Sequence, residues 1–480
     1  MKAFIKNILF LVTVFGLTNC SNFLDKEPLE ALVDENFYQT EEDALRAINA
    51  TYAPLASGAG PLMVNRIGDR MAGDTQTAET DDPLSLFTIL PNNETATASW
   101  QNAYAGILRA NLAINRLADA ELDEELKSRL LGEAHFLRGL YYHYLAIIFG
   151  EVPLILTPST DTDDYLVSRT PIDEIYRQIE QDLAFAEEQL PTNYTGADVG
   201  RATRGAAKAY LAKVHLYQEK WEEAAAKAAE VTDNAASFGY RLMDDYFHAF
   251  ELENDNSPES IFEVQYASFL GGLGSILNDY DAPRASGFSP DGGYGQGTVR
   301  RAFVEHFAEG DPRLGFSVFM EGDVFQGITY NPAFTPTGFS TKKYIVGRGP
   351  NIEPSNSPKN FIMMRYAELL LIRAEALNEV GSTAEAVVYV NQIRQRPSVN
   401  MPTIATGISQ NALREAIKLE RHSELGLEGH FFFDLVRWGD AESYLYGIGR
   451  TNFRPGVHER LPIPQAEMDL NPNLTQNPGY

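Results

Sequence analysis

Apolar residues recur along most of this chain at the three- and four-residue spacing of buried helix faces. Trp100, Tyr104, Ile107, Leu108, Asn111, Ile114 and Leu117 form one such stripe. Leu126, Leu130, Leu131, Ala134, Leu137, Leu140, Tyr141, Tyr144 and Leu145 form the next. Gly150 and Pro153 are stop signals after it, because glycine tolerates the backbone of a helix end and proline cannot continue a helix. A third stripe runs through Ile175, Ile179, Leu183 and Ala186, with Thr170 expected as its N-cap and Pro171 at the first helical position. From Glu41 onward the spacing predicts helix after helix.

Two later segments repeat one pattern. Leu211 to Tyr217 precedes a short turn and a stretch with Ala224, Ala225, Ala228 and Val231; Leu371 to Leu377 precedes Ala384, Ala386, Val387 and Val390. Both read as helical hairpins of tetratricopeptide type, whose small residues let neighbouring helices approach closely. Between them the helical spacing stops. Residues 264–360 hold 15 glycines and 8 prolines, too many for helices to dominate. Eight Lys/Arg stand there against nine Asp/Glu, beside many loop aromatics. The expected fold class is mainly α: tetratricopeptide-like hairpins form a scaffold, and a long loop-rich insertion carries short strands. The expected organisation is a signal peptide over 1–19, a lipidated tether and start of the fold over 20–40, and the N-terminal part of the scaffold over 41–263. A ligand-binding insertion over 264–360 and the C-terminal part of the scaffold over 361–480 complete it.

Composition sharpens this picture. The 480 residues are 44% hydrophobic and 22% charged, the balance of a folded protein. Thirty-nine basic against 66 acidic residues give a net charge of −27, which argues against a nucleic-acid partner and requires a local basic patch for any anionic ligand. The single cysteine, Cys20, excludes an internal disulfide and a cysteine-built metal site. Lys2 and Lys6, the apolar run from Ile8 to Leu17 and the closing Leu17-Thr18-Asn19-Cys20 read as a secretory signal, since the run is about half of the ~20 residues needed to span a bilayer. Cys20 stands where a lipoprotein signal places its acylated residue, so lipidation is expected there.

Catalytic signatures are missing. There is no His-Glu-x-x-His, no Gly-x-Ser-x-Gly and no phosphate-binding loop. Gly293-Tyr294-Gly295-Gln296-Gly297 lacks the flanking strand and helix of a nucleotide loop. His422, Glu424, Glu428 and His430 lie on a helical stretch where solvated or capping roles are expected over metal ligation. Asp161, Asp163 and Asp164 lack the glycine and glutamate of a calcium loop. No catalytic residue, metal or cofactor is expected.

Three blocks carry a resemblance. They are Arg365-Tyr366-Ala367-Glu368-Leu369-Leu370-Leu371-Ile372-Arg373-Ala374-Glu375-Ala376, then Glu420-Arg421-His422-Ser423-Glu424-Leu425-Gly426-Leu427-Glu428-Gly429-His430, then Phe433-Asp434-Leu435-Val436-Arg437-Trp438-Gly439. Asn22-Phe23-Leu24-Asp25, Asp311-Pro312-Arg313 and the ending Leu461-Pro462-Ile463-Pro464 with Asn471 to Tyr480 extend it along the chain. Together they resemble the SusD/RagB outer-membrane lipoproteins of Bacteroidetes. These motifs read as scaffold, with Arg421 and Glu424 expected to pair along one helix face.

The resemblance implies a cell-surface lipoprotein, held to the outer membrane by its N-terminal lipid. It would capture oligo- or polysaccharide and deliver it, uncut, to a SusC-like TonB-dependent barrel. It also places the ligand face on loops near 60–100 and 264–345. The candidates there are Arg66, Arg70, Asp74, Tyr266, Tyr280, Tyr294, Tyr330, Phe334 and Phe339, with Arg284, Lys342 and Lys343 for a carboxylate or sulfate. All three tryptophans fall in helical motifs, so tyrosine and phenylalanine are expected to stack on sugar. The acidic background favours a neutral glucan such as laminarin over a polyanion such as alginate. The alternatives are a peptide- or protein-binding lipoprotein of a nutrient importer, and a glycosidase.

Overall fold

The computed structural model describes residues 40–58, 61–79, 82–159, 161–268 and 272–480. The signal, Cys20 and nearly all of the tether lie outside them. Helices α1 (Glu41–Ala56), α2 (Pro61–Ala72), α3 (Glu94–Ala118), α4 (Glu124–Phe149), α5 (Ile172–Gln189), α6 (Arg204–Tyr217) and α7 (Trp221–Thr232) build the first part. Their starts follow from side chains that satisfy free backbone N–H groups. Thr40 accepts from Asp43, Asn93 from Ala96, Asp123 from Glu125 and Leu126, and Thr203 from Ala206. Helix α5 differs from expectation. Thr170 is not its cap, because Thr170 forms a bridge with Val152 and its hydroxyl accepts from Leu154. Pro171 takes the cap position and the helix begins at Ile172.

Helices α3, α4 and α5 pack in succession around one core. Gly106 of α3 meets the Tyr141 ring of α4 so closely that a Cβ would lie 2.3 Å from it. The Tyr141 hydroxyl continues inward to donate to Thr51 O of α1 at 2.8 Å. The α3 stripe is not wholly inside. Leu108 is 41% exposed, because it faces a surface groove rather than α4.

After α7 the chain enters the insertion. Strand β2 (Ser260–Val264) leads into it, and it contains α8 (Leu277–Asp281) and the short strands β3 (Thr298–Val299), β4 (Val318–Phe319), β5 (Val324–Phe325), β6 (Ile328–Thr329) and β7 (Ser340–Thr341). With β1 (Thr75–Gln76), strands β3, β7 and β4 form an antiparallel sheet in the order β1-β3-β7-β4. Thr75 pairs with Val299 and Gln76 with Thr298. Strand β8 (Phe361–Arg365) returns to pair antiparallel with β2, and α9 (Tyr366–Glu379), α10 (Thr383–Arg394), α11 (Gln410–Leu425) and α12 (Phe431–Trp438) follow. The hairpins α6/α7 and α9/α10 pack together through α7 and α9. The fold is mainly helical, with tetratricopeptide-like hairpins and a loop-rich insertion, as the spacing implies.

A buried lattice of charges joins insertion to scaffold. Arg313, from the insertion, chelates Asp311 and reaches Glu420 at 2.6 Å and Glu424 at 3.1 Å on α11. Arg365 at the end of β8 donates to Glu259, Glu424 and Glu428 at 2.7–2.9 Å. Arg396 adds bonds to Glu259 and Glu424, and Lys343 reaches Glu428 at 2.8 Å. Burial alone would raise the Glu424 carboxyl; the guanidiniums of Arg396, Arg365 and Arg313 outweigh it and hold it below the carboxylate range. The same balance holds Glu428 at about 2.

Two expectations are corrected here. Arg421 does not pair with Glu424, because Glu424 is taken by three arginines while Arg421 turns to Asp434 at 2.9 Å. The 422–430 cluster is neither solvated nor capping. Its members are enclosed and diverge: His422 stacks on Phe431 and bonds Asp74, and His430 faces Glu368. Among the described residues, no group of three His, Cys, Asp or Glu is arranged to hold a metal, and no helix is long and apolar enough to cross a membrane.

Candidate functional site

The glycine run at 292–297 clamps a loop onto α8. Tyr294 N donates to Asp279 O, Gly295 N to Ala282 O and Gln296 N to Tyr280 O, all at 2.8–2.9 Å. Such an approach needs glycine at 293, where φ is +91° and a Cβ would sit 2.3 Å from Pro283 O. Beneath it the buried Asp279 carboxylate accepts from Asp291 N at 2.8 Å and Ser355 N at 2.9 Å, tying two loops to α8. The consequence is at the surface. Tyr294 is held outward with 40% of its area exposed, its hydroxyl donating to Asp291 at 2.7 Å and lying 3.2 Å from Ser355 Oγ.

A polar edge runs from that ring. Arg284 donates to Tyr294 O and pairs with Glu79. Gln296 donates to Glu79 at 3.3 Å and accepts from Arg70 at 3.2 Å, and Arg70 Nε lies 3.8 Å from Asp82. The hydrogen bond from Arg284 holds the Glu79 carboxyl below its ordinary range, so it is ionised. Further in, the Arg66 guanidinium lies 3.5 Å from the centre of the Tyr280 ring. Its Nε and Nη2 are buried without a hydrogen-bond partner among the described residues. Burial lowers the Arg66 pKa, and the neighbouring Tyr280 and Asp281 oppose that shift. Burial also pushes Tyr266 up to about 12, against the charge of Arg66. The ring face of Tyr280 thus supports the guanidinium alongside the more distant charge of Asp281.

Six of the sequence candidates therefore meet along one connected region: Arg66, Arg70, Tyr266, Tyr280, Arg284 and Tyr294. The others are placed elsewhere. Tyr330 and Phe334 pack with Phe288, Phe319 and Phe325 into a small core of the insertion, which its two-residue strands need for want of a broad sheet face. Phe339 lies under Arg301, its ring centre 5.7 Å from the guanidinium. Lys342 bonds Asp323 at 2.8 Å and Gly315 O at 2.6 Å. Lys343 is enclosed in the charge lattice. Asp74 is fully buried, its Oδ1 3.0 Å from His422 Nε2.

Glu79, Asp291, Gln296 and Ser355 escaped the sequence reading. The available signal was the Gly-Gly-Tyr-Gly-Gln-Gly run itself, which displays alternate side chains. The acidic loop at 161–164 also takes a local part: Asp164 accepts from Ser159 Oγ at 2.5 Å, while the Asp163 side chain lies outside those described.

An exposed ring beside carboxylate, amide and guanidinium groups can cover the C–H face of a pyranose and bind its hydroxyls. A different concavity, of about 590 Å³, runs along α3 between Trp100, Tyr104, Leu108, Leu166 and Leu470. Its mostly apolar wall gives a hydroxyl-rich ligand few partners. All three tryptophans are packed; Trp438, for one, donates to Glu375 at 2.8 Å.

Comparison with known proteins agrees with this architecture. The SusD family pattern matches residues 219–480, and a pattern described as "Starch-binding associating with outer membrane" matches 22–216. SusD-like protein P2 of Formosa agariphila is 30% identical, over 98% of this chain and 99% of its own. A solved "Laminarin binding SusD-like protein" has a TM-score of 0.79 at 30% identity, over 92% of this chain and 100% of its own. Surface glycan-binding protein A from Bacteroides fluxus has a TM-score of 0.77 at 28% identity, with 92% and 100% covered. Agreement in sequence and in fold over nearly the whole length leads to one assignment: the chain belongs to the SusD family.

Proposed function

We propose that this protein captures oligo- or polysaccharide at the cell surface and hands it, uncut, to a SusC-like TonB-dependent barrel. The observation that carries the proposal is the exposed Tyr294 ring set beside Arg284, Glu79 and Gln296 on a rigid glycine clamp. Relatives named for laminarin binding and for surface glycan binding support it. A binding role also suits the buried carboxylates of the family motifs, which are committed to arginine rather than poised for acid–base work. In this reading the lipid on Cys20 tethers the chain to the outer membrane.

Titration of a panel of oligosaccharides, with the products then sized, tests the central part. Binding with unchanged chain length is expected, and release of shorter products overturns the reading in favour of a glycosidase. Tight binding of peptides with no saccharide bound favours the peptide importer. Replacing Cys20 with Ala should release the protein from membranes, and purification in mild detergent should recover a barrel with the parent protein. Recovery of the lipoprotein alone in several detergents contradicts the partner.

A further inference from the structure

Beside the β1–β3 strand pair lies an open cleft of about 750 Å³, a volume suited to one or two sugar units. Gln76, Arg300, Arg301, Glu305, Thr337 and Tyr444 line it. Its charge is unlike the rest of the molecule. Arg300 is fixed through its backbone N–H, which donates to Asp74 O at 2.8 Å, and its side chain donates to the neutral amide of Gln76 at 2.6 Å. No carboxylate lies within salt-bridge distance of Arg300 among the described residues. Arg301 rests over Phe339 and meets Glu305 at 3.6 Å, both side chains largely in water, where such a pair neutralises little. Behind them is Arg450, whose Nε is buried with no partner among the described residues. Burial first, and then the charge of Arg300, lower its pKa to about 10, against the opposing charges of Asp82 and Asp74. Glu305 is the single carboxylate in the lining of the cleft, and Asp74 and Asp82 act on Arg450 behind it. The sequence candidates for an anion are occupied by contrast: Arg284 by Glu79, Lys342 by Asp323 and Lys343 by Glu428.

We propose that the cleft at Arg300 and Arg301 is an anion-recognising subsite that takes a carboxylate or sulfate substituent of a bound saccharide. It rests on the glycan-capture reading and names a substituent chemistry that the captured glycan would carry. A protein with a net charge of −27 needs a local patch of this kind to hold an acidic glycan at all. The planar, always-charged guanidinium of Arg300 supplies paired donors for an oxyanion. Gln76 and Thr337 offer neutral partners to sugar hydroxyls. Phe339 then has a role: it supports Arg301 rather than stacking on sugar.

The test is calorimetric titration of the purified protein with digalacturonate, glucose 6-sulfate, the neutral disaccharide laminaribiose and inorganic sulfate, at 20 and 300 mM NaCl. An anionic saccharide should bind at least about fivefold more tightly than laminaribiose at low salt, and high salt should shrink the difference. The winner between uronate and sulfate ester names the substituent. Arg300→Gln should weaken the anionic ligand about tenfold and leave laminaribiose unchanged. Arg301→Gln, at a mostly exposed position that the fold does not need, should act in the same direction. Equal binding of neutral and anionic sugars, or no effect of either substitution, overturns the subsite while leaving glycan capture intact. Absence of binding in every saccharide arm defeats both. Inorganic sulfate binding as tightly as the sugars would mean an adventitious ion only and would also overturn the proposal.

Discussion

Two buried arginines show how differently this chain uses one residue type. Arg365, between scaffold and insertion, donates from every nitrogen: to Glu428 from Nε, to Glu259 and Glu424 from Nη1, and to Glu428 and the Glu424 carbonyl from Nη2. Arg66, at the edge of the loop region, is about as enclosed, yet it lies against the Tyr280 ring with Asp281 acting from beyond ion-pair distance, and two of its nitrogens have no hydrogen-bond partner among the described residues. A fully paired buried charge fixes how two pieces of structure sit on one another. An incompletely paired one remains available to something that arrives later. The lattice around Arg365 accordingly reads as joinery, and the loop face as a surface still able to interact.

The largest expected effect comes from opening the joinery. Glu424 neutralises parts of three arginines, so Glu424→Gln should cost about 3–5 kcal/mol in denaturant unfolding. A loss below about 1 kcal/mol would show that the lattice is not what joins insertion to scaffold. Acid should act on the same groups. Burial would raise the Glu428 and Asp434 carboxyls, but Arg365 with Lys343, and Arg421 with Arg437, hold both at about 2. Groups depressed in the folded state contribute stability that is complete above their unfolded pKa values and lost as pH falls through the folded ones. These two should therefore destabilise the fold progressively from about pH 5 to about pH 2. Burial of His422 and His430 lowers them to about 3 and 4, with the same sign, beginning near pH 6.5. Asp69 and Asp74, raised chiefly by burial, oppose the trend. A Glu428→Gln variant should show a shallower acid slope, and an unchanged slope would remove Glu428 from the explanation.

The loop face should respond to smaller changes. Gly293→Ala forces a Cβ against a carbonyl oxygen at a left-handed position, a strain of about 1–3 kcal/mol. Glycan affinity should drop with it as Tyr294 loses its support; unchanged affinity would separate the clamp from the ligand. The smallest effect is expected at Arg66. Arg66→Met removes a desolvated charge and keeps most of the packing on Tyr280, but leaves the buried Asp281 with Arg70 as its remaining cation, so the cost should stay below about 2 kcal/mol. A cost like that of Glu424→Gln would erase the contrast between the two arginines.

The difference also explains what could be read from the sequence. Helical spacing is repeated many times along α3, α4 and α5, so the scaffold was legible, apart from details such as the Thr170 bridge that displaced a cap. The lattice was visible as residues but not as pairs. Arg421 and Glu424 stand three apart on one helix, and only the third dimension brings Arg365, Arg396 and Arg313 to Glu424. On the loop face, aromatic content alone could not separate Tyr294, which glycine turns push outward, from Tyr330, which fills the insertion's small core. Glu79 and Gln296 join the edge through strand pairing between distant segments, and no local spacing carries that information.

The most direct test is a pair of single substitutions on two different concave surfaces. Tyr294→Ala removes the exposed ring of the loop face; Leu470→Ser alters the apolar groove along α3 at a side chain 73% exposed. Both should leave the unfolding midpoint near that of the parent. Against the tightest ligand from an oligosaccharide panel, Tyr294→Ala should weaken binding about 5- to 150-fold, while Leu470→Ser should bind as the parent does. Parent-like affinity in Tyr294→Ala together with a loss in Leu470→Ser would place the glycan in the apolar groove and contradict the loop face as the site of capture.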